Sequence, residues 1–156
     1  MKVPLNIQRS LVIEAPPAKA LALLDDLEST IKRFPKLKRL RKLGELQYVW
    51  EMETIGSRMA KIAHNVSYGA AYQLDREAGE LRWAPLPDHG NARIAGRFRL
   101  QPEGGSQTRL SFSVEGELRD VPVPLVYRLV APPFIQGKFT SLVDRFLAAT
   151  EDALRR

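Results

Sequence analysis

The sequence contains no cysteine. That absence excludes disulfides, thiolate metal sites and thiol catalysis together, and gives no sign of an oxidising compartment. Histidine is almost as scarce: His64 and His89 are the only side chains of the type whose unperturbed pKa lies near neutral. No apolar run approaches the length of a membrane-spanning helix. The opening residues Met1, Lys2, Val3, Pro4, Leu5 and Asn6 turn polar too soon for the core of a signal peptide, so a soluble cytoplasmic protein is expected. There is no nucleophile elbow, phosphate loop, paired-carboxylate constellation or metal-ligand spacing. No cofactor or metal is expected, and no catalytic residue is assigned.

What is present suits a folded chain. Hydrophobic residues make up 44% and charged residues 27%, which argues against disorder. At 156 residues the chain fits one domain, 1–156, large enough to bury a self-sufficient core. The net charge of +6 is unevenly spread: Lys32, Arg33, Lys36, Lys38, Arg39, Arg41 and Lys42 share one short segment without an acid. Such a cluster can attract RNA, a ribosome or an anionic membrane. It can equally be a solvated edge that keeps a sheet from pairing with neighbours. Only Phe34 interleaves an aromatic ring with these charges, which favours the solvated edge.

Hydrophobic periodicity supplies the architecture. Val3, Leu5, Ile7, Leu11 and Ile13 share one parity, the pattern of a half-buried strand, with Arg9 interrupting the row. Pro16 and Pro17 end it and open a short helix over 18–27; a second short helix is expected over 30–34, stopped by Pro35. Strand patterns then dominate. Leu46, Tyr48, Trp50 and Met52 alternate with polar residues over 46–54. Ala60, Ile62, His64, Val66 and Tyr68 share one face of the strand expected next. Ile94, Gly96, Phe98 and Leu100 alternate with arginines, and Gly104 and Gly105 predict a hairpin into Leu110, Phe112 and Val114. Over 134–156 the period becomes helical, with Phe139, Leu142, Val143, Phe146, Leu147 and Leu154 on one stripe. The fold class is α+β: six or seven antiparallel strands, two short helices after the first strand, and a long C-terminal helix on the apolar face.

Several local strings carry a resemblance to a known family. They are Ile13, Glu14, Ala15, Pro16 and Pro17; then Leu23, Leu24, Asp25 and Asp26; then Phe34 and Pro35. Later come Gly96, Arg97, Phe98, Arg99, Leu100, Gln101 and Pro102, then Gly104, Gly105, Thr108, Arg109 and Leu110, and the lead-in prolines Pro122 and Pro124. Together with the element order over nearly the whole chain, they resemble the START-like, or SRPBCC, superfamily of birch-pollen-allergen, polyketide cyclase and coenzyme-Q-binding proteins. The resemblance implies a helix-grip fold, in which a bent sheet wraps the last helix around a cavity for a lipid, quinone, polyketide or similar molecule.

The expected inward rows fit such a cavity. Tyr48, Trp50, Met52, Ile62, His64 and Val66 come from the early strands, and Tyr72, Trp83, Ile94, Gly96, Phe98 and Phe112 from the later ones. Phe139, Val143 and Phe146 face them from the helix. Sparse polar groups in apolar surroundings are typical of small-molecule sites, which occupy about 300–1,000 Å3. Each ring is equally at home in a filled core. Arg9 and His64 are the candidate polar anchors. The leading expectation is therefore carriage of a hydrophobic small molecule, with no enzymatic activity assigned. A cyclase, aromatase or dehydratase using the same cavity, and an interaction module using the basic segment at 32–42, are the alternatives.

Overall fold

The alternation that begins at Val3 forms β1 (Val3–Ile13), and Pro17 opens α1 (Pro17–Asp25) from its first turn, where a missing N–H costs nothing. Asp26 then ends α1 and caps α2 (Leu27–Lys32), its carboxylate accepting from the Ser29 N–H at 3.4 Å. The computed structural model describes residues 1–57 and 62–155, with no side chain described within 56–63.

The strands that follow are β2 (Leu37–Gly44), β3 (Gln47–Met52), β4 (Ile55–Ser57), β5 (Ile62–His64), β6 (Ser67–Asp75), β7 (Glu80–Gly90), β8 (Ala92–Gly104) and β9 (Gln107–Leu118). A single 3-10 turn at Leu125–Tyr127 precedes α3 (Ala131–Leu154). Seven strands make one antiparallel sheet in the order β1-β9-β8-β7-β6-β3-β2, and β4 pairs with β5 beside it. At about 1.5 Å per residue, α3 is about 36 Å long and spans the sheet. Its buried stripe includes Phe139, Leu142, Val143, Phe146 and Leu147, while Lys138, Asp144 and Arg145 are exposed.

Two strand expectations change. Leu46 does not continue the inward row of β3; it sits exposed in the preceding turn at φ 58°, because the short β2–β3 connection needs a left-handed residue there. The strand expected through Ala60, Ile62, His64, Val66 and Tyr68 breaks after His64. At the break, side chains replace ladder bonds. Thr54 Oγ1 donates to Asn65 Oδ1 at 2.7 Å, Asn91 Nδ2 donates to the Asn65 carbonyl at 2.8 Å, and the Ser67 N–H donates to Asn91 Oδ1 at 3.0 Å. Ala60 and the Ile62 side chain lie outside the described residues.

The sheet has two edges, and each is managed differently. The edge strand β2 carries Lys38, Arg39, Arg41 and Lys42, with Arg39 and Arg41 at 3.6 and 4.0 Å from Glu51 on β3. Charge along an edge discourages pairing with another chain. The other edge, β1, is covered by α3. Gln136 engages both backbone groups of Asn6, donating through Nε2 to its carbonyl at 2.7 Å and accepting its N–H at 3.3 Å. Further along, Arg9 Nε donates to Asp144 at 2.7 Å, an exposed pair worth about 0–1 kcal/mol.

Phe146 is the ring that ties helix to sheet, with centroids 5.2 Å from Phe34, 5.7 Å from Phe98 and 5.8 Å from Phe112. Phe146→Ala should cost about 3–5 kcal/mol. The exposed neighbour change Arg145→Ala should stay within about 0.5 kcal/mol. Urea unfolding measures both, and equal costs would mean that α3 does not seat through this stripe.

Candidate functional site

Between the concave face of the sheet, α2 and α3 lies one apolar cavity of about 30 Å3, room for a water molecule or two. Its wall brings together Trp50, Met52, Tyr72, Trp83, Ile94 and Phe98 of the sequence-derived set. Phe112, Phe139, Val143 and Phe146 complete that group. Ile7, Leu27, Thr30, Ile31, Phe34 and Tyr68 also line it and were not singled out from the sequence. The α2 residues carried no readable signal, because a helix of six residues is too short to show a period. Tyr68 did: it shares parity with Tyr72.

Tyr48, His64, Val66 and Gly96 do not line the cavity, although the first three are buried. The Ile62 side chain lies outside the described residues. Arg9 is not an interior anchor. Its parity points inward, but β1 is an edge strand, so the guanidinium reaches round to Asp144 at the surface.

The volume also departs from expectation, about tenfold below the few hundred Å3 that the sequence suggests. The cause is interlocking rings. Gly96 stands opposite Trp83 across the β7–β8 ladder, and a Cβ on it would lie 2.1 Å from the Trp83 indole. The glycine therefore makes room for an indole, not for a ligand. From there the rings run on: Trp83 to Tyr72 at 5.6 Å, Trp83 to Phe112 at 6.1 Å, and Phe98 to Phe112 at 4.8 Å. Trp50 stacks on Tyr68 at 5.1 Å and meets Phe34 edge-on at 5.5 Å.

The polar chemistry of the wall is sparse. Trp50 Nε1 donates to Tyr72 Oη at 2.8 Å, and both groups are buried. Burial pushes the Tyr72 and Tyr68 phenols well above their ordinary value, so both stay neutral. Trp83 keeps its indole Nε1 buried without an acceptor. On the α2 side, Thr30 Oγ1 lies 3.0 and 2.9 Å from the Leu23 and Asp26 carbonyls and accepts from Arg33 Nη2 at 3.1 Å. Arg33, counted with the surface cluster from sequence, is half-buried. Its Nε has no acceptor, and burial lowers its pKa against the opposing effect of Asp26.

His64 lies away from the cavity, 8% exposed, near the Arg119–Asp120 turn and the N-terminal ammonium. Burial lowers its pKa below the ordinary 6.5; the Arg119 backbone and Asp120 push the other way, and the ammonium adds to the lowering. Its Nε2 has no partner. Among the described residues, no group of three or more His, Asp or Glu is placed to hold a metal ion.

Comparison with known proteins bears on the fold. No protein-family model and no curated protein sequence matches the chain. Solved structures do. A START superfamily protein from Mycobacterium smegmatis matches at TM-score 0.68 and 14% identity, over 96% of this chain and 97% of that one. The Zhui aromatase/cyclase from Streptomyces sp. R1128 matches at TM-score 0.62 and 15% identity, over 97% and 91%. Norcoclaurine synthase from Thalictrum flavum matches at TM-score 0.65 and 13% identity, over 99% and 88%. The chain has the START-like, helix-grip fold.

Two outcomes follow from this geometry. Gly96→Ala should cost about 1–3 kcal/mol by overpacking. The atoms it meets belong to the indole's outer ring, so adding Trp83→Phe should recover part of that loss. Additive losses in urea titrations would mean that the two residues do not share this space. The second outcome concerns His64. Its folded pKa lies below its unfolded value, so the unfolded chain binds the proton first. Stability should be complete above pH about 6.5, fall as pH drops below that value, and level off below the folded pKa. His64→Gln should remove this slope, as read by melting temperature against pH; an unchanged slope would assign it to other groups.

Proposed function

We propose that the protein binds a hydrophobic small molecule between the concave sheet, α2 and α3. One observation carries the reading: the wall of the apolar cavity includes Trp83, whose buried Nε1 has no acceptor. A buried donor left unsatisfied costs about 1–3 kcal/mol, a cost that an oxygen on a bound molecule offsets. The START-like fold supports the location, since its cavity lies under the last helix, although a fold alone does not assign a ligand. Trp50, Met52, Tyr72, Ile94, Phe98 and Phe112 on the sheet would form the floor. Phe139, Val143 and Phe146 on α3 would form the roof.

The size of the site sets the manner of binding. About 30 Å3 holds no drug-sized molecule, for which about 300 Å3 or more is typical. Entry of a ligand therefore displaces rings, with Phe34 of the α2 end and Phe146 of α3 the contacts to be exchanged. Among the described residues the wall carries no carboxylate, imidazole or amine, and its phenols stay neutral. That supports binding ahead of acid–base catalysis.

Native mass spectrometry of freshly purified protein, followed by denaturation, should release an apolar molecule with at least one oxygen acceptor. An apolar fluorescent probe should bind, and saturating probe should raise the melting temperature by mass action. Trp83→Phe should weaken ketone- or hydroxyl-bearing probes more than pure hydrocarbons. No released molecule, no probe binding and no thermal shift, found together, would overturn the reading.

A further inference from the structure

The segment between β9 and α3 leaves its apolar side chains in water. Leu125, Val126 and Leu129 are 81%, 80% and 93% exposed, and Val130 is 53% exposed. Three aliphatic residues at least four-fifths exposed within five positions mark a projecting tip, not a flat face with partial neighbours. Contiguous exposed apolar surface of this kind marks an interaction site. We infer that the tip at 125–130 inserts into the interfacial layer of an anionic lipid bilayer.

Three features select lipid. The first is backbone closure. The Tyr127 N–H donates to the Pro124 carbonyl at 2.9 Å, Arg128 to Leu125 at 3.3 Å, Val130 to Tyr127 at 3.1 Å and Phe134 to Val130 at 3.2 Å. The Tyr127, Arg128 and Val130 amides, already paired within the tip, enter a low-dielectric layer without losing water partners, which lowers the cost relative to an open strand. The second feature is charge. Residues 121–143 contain no Asp or Glu, but they carry Arg128 in the tip and Lys138, whose Nζ stands 5.4 Å above the Phe134 ring. With a chain charge of +6, the approach to anionic headgroups is attractive, and no carboxylate in this stretch opposes it. The third is bracing. Pro122, Pro124, Pro132 and Pro133 restrict the flanking backbone. Val121 is buried and tied to Met1 through both backbone groups, its N–H at 3.0 Å and its carbonyl at 3.3 Å. The tip is held out by a stiff base. Among the described residues no helix is long and apolar enough to cross a membrane, and the contact inferred is an interfacial one.

This inference does not rest on the ligand-binding reading, and its test uses vesicles without any added small molecule. The full chain should co-sediment with vesicles of mixed phosphatidylcholine and phosphatidylglycerol. It should bind pure phosphatidylcholine less, and rising salt should weaken binding to the anionic vesicles. Replacing both Leu125→Ser and Leu129→Ser should weaken partitioning at least about tenfold while leaving the melting temperature unchanged, because both side chains are already exposed. Leu129→Trp should shift its emission to the blue on adding anionic vesicles. Vesicle binding that survives the double serine variant overturns the inference, as does a Leu129→Trp emission that vesicles do not move. Loss of vesicle binding on changing Lys38, Arg39 and Arg41 to Gln, with the serine variant unaffected, would place the contact on β2 instead. A dimer seen by analytical ultracentrifugation and dispersed by the serine variant, with no vesicle binding, would assign the tip to a second copy of the chain.

Discussion

The structure depends on the seating of α3 against the concave face of the sheet. Phe146 touches rings from the segment after α2, from β8 and from β9 at once, so a shift of this helix disturbs contacts drawn from three parts of the chain. Ring packing supplies most of the attraction, but it is non-directional and does not specify where along the sheet the helix stops. Directional bonds at the β1 edge do that. Gln136 reads the backbone of Asn6, and Asp144 meets Arg9 eight residues later on the helix and three later on the strand. The rises agree: eight helical residues advance about 12 Å, and three strand residues about 10 Å. Helix and edge strand therefore run side by side in opposite chemical roles, one covering what the other would leave unpaired.

The same packing leaves little room inside, and it does so through the residues that promised room. Small residues among large ones suggest a void only if the large ones point elsewhere. Here Trp83 turns its indole over Gly96, and the space that a missing side chain creates is occupied by its cross-strand partner. What remains is small and dry-walled, and it is bordered by Trp83, whose buried indole nitrogen has no acceptor. A filled interior and a binding interior differ in the cost of moving rings. Aromatic contacts worth about 0.5–1.5 kcal/mol each are exchangeable for contacts with an apolar ligand of similar surface.

Most of the architecture was legible because periodicity reports which face is buried. The rows of β1, β8, β9 and α3 are long, and long patterns are hard to misread. The break after His64 was not legible. It depends on Asn65 and Asn91 replacing ladder bonds, and asparagine signals a turn without saying which partner it finds. The site was legible to the extent that it coincides with the core: the inward rings of the central strands border the cavity. Arg9 and Arg33 exchanged places relative to their sequence contexts. Arg9 stood in an apolar row, but its edge position opened a route to Asp144. Arg33 stood in a basic cluster, but the end of α2 turns it toward Thr30. Parity gives the face of a strand; it does not give distance from the edge, and for long cationic side chains that distance decides burial.

Both proposals converge on α3, for reasons that sequence order alone would not suggest. The helix begins immediately after the exposed tip, and its second and third turns carry Ile135 and Phe139, both buried. Phe139 and Val143 then border the cavity. Ala131 to Phe139 is eight residues, or about 12 Å along the axis. Over that short distance one element passes from an aliphatic surface in water to an aromatic wall under the sheet. Its first turn carries Pro132 and Pro133, which have no N–H to satisfy, and the Phe134 N–H is paired with the Val130 carbonyl, so the turn closes without a side-chain N-cap. The strongest directional attachments, Gln136 and Asp144, lie beyond it. A helix fixed in this way keeps its register on β1 while side chains beneath it exchange partners. Within that frame the contact between Phe34 and Phe146 is the one that an incoming ligand would exchange.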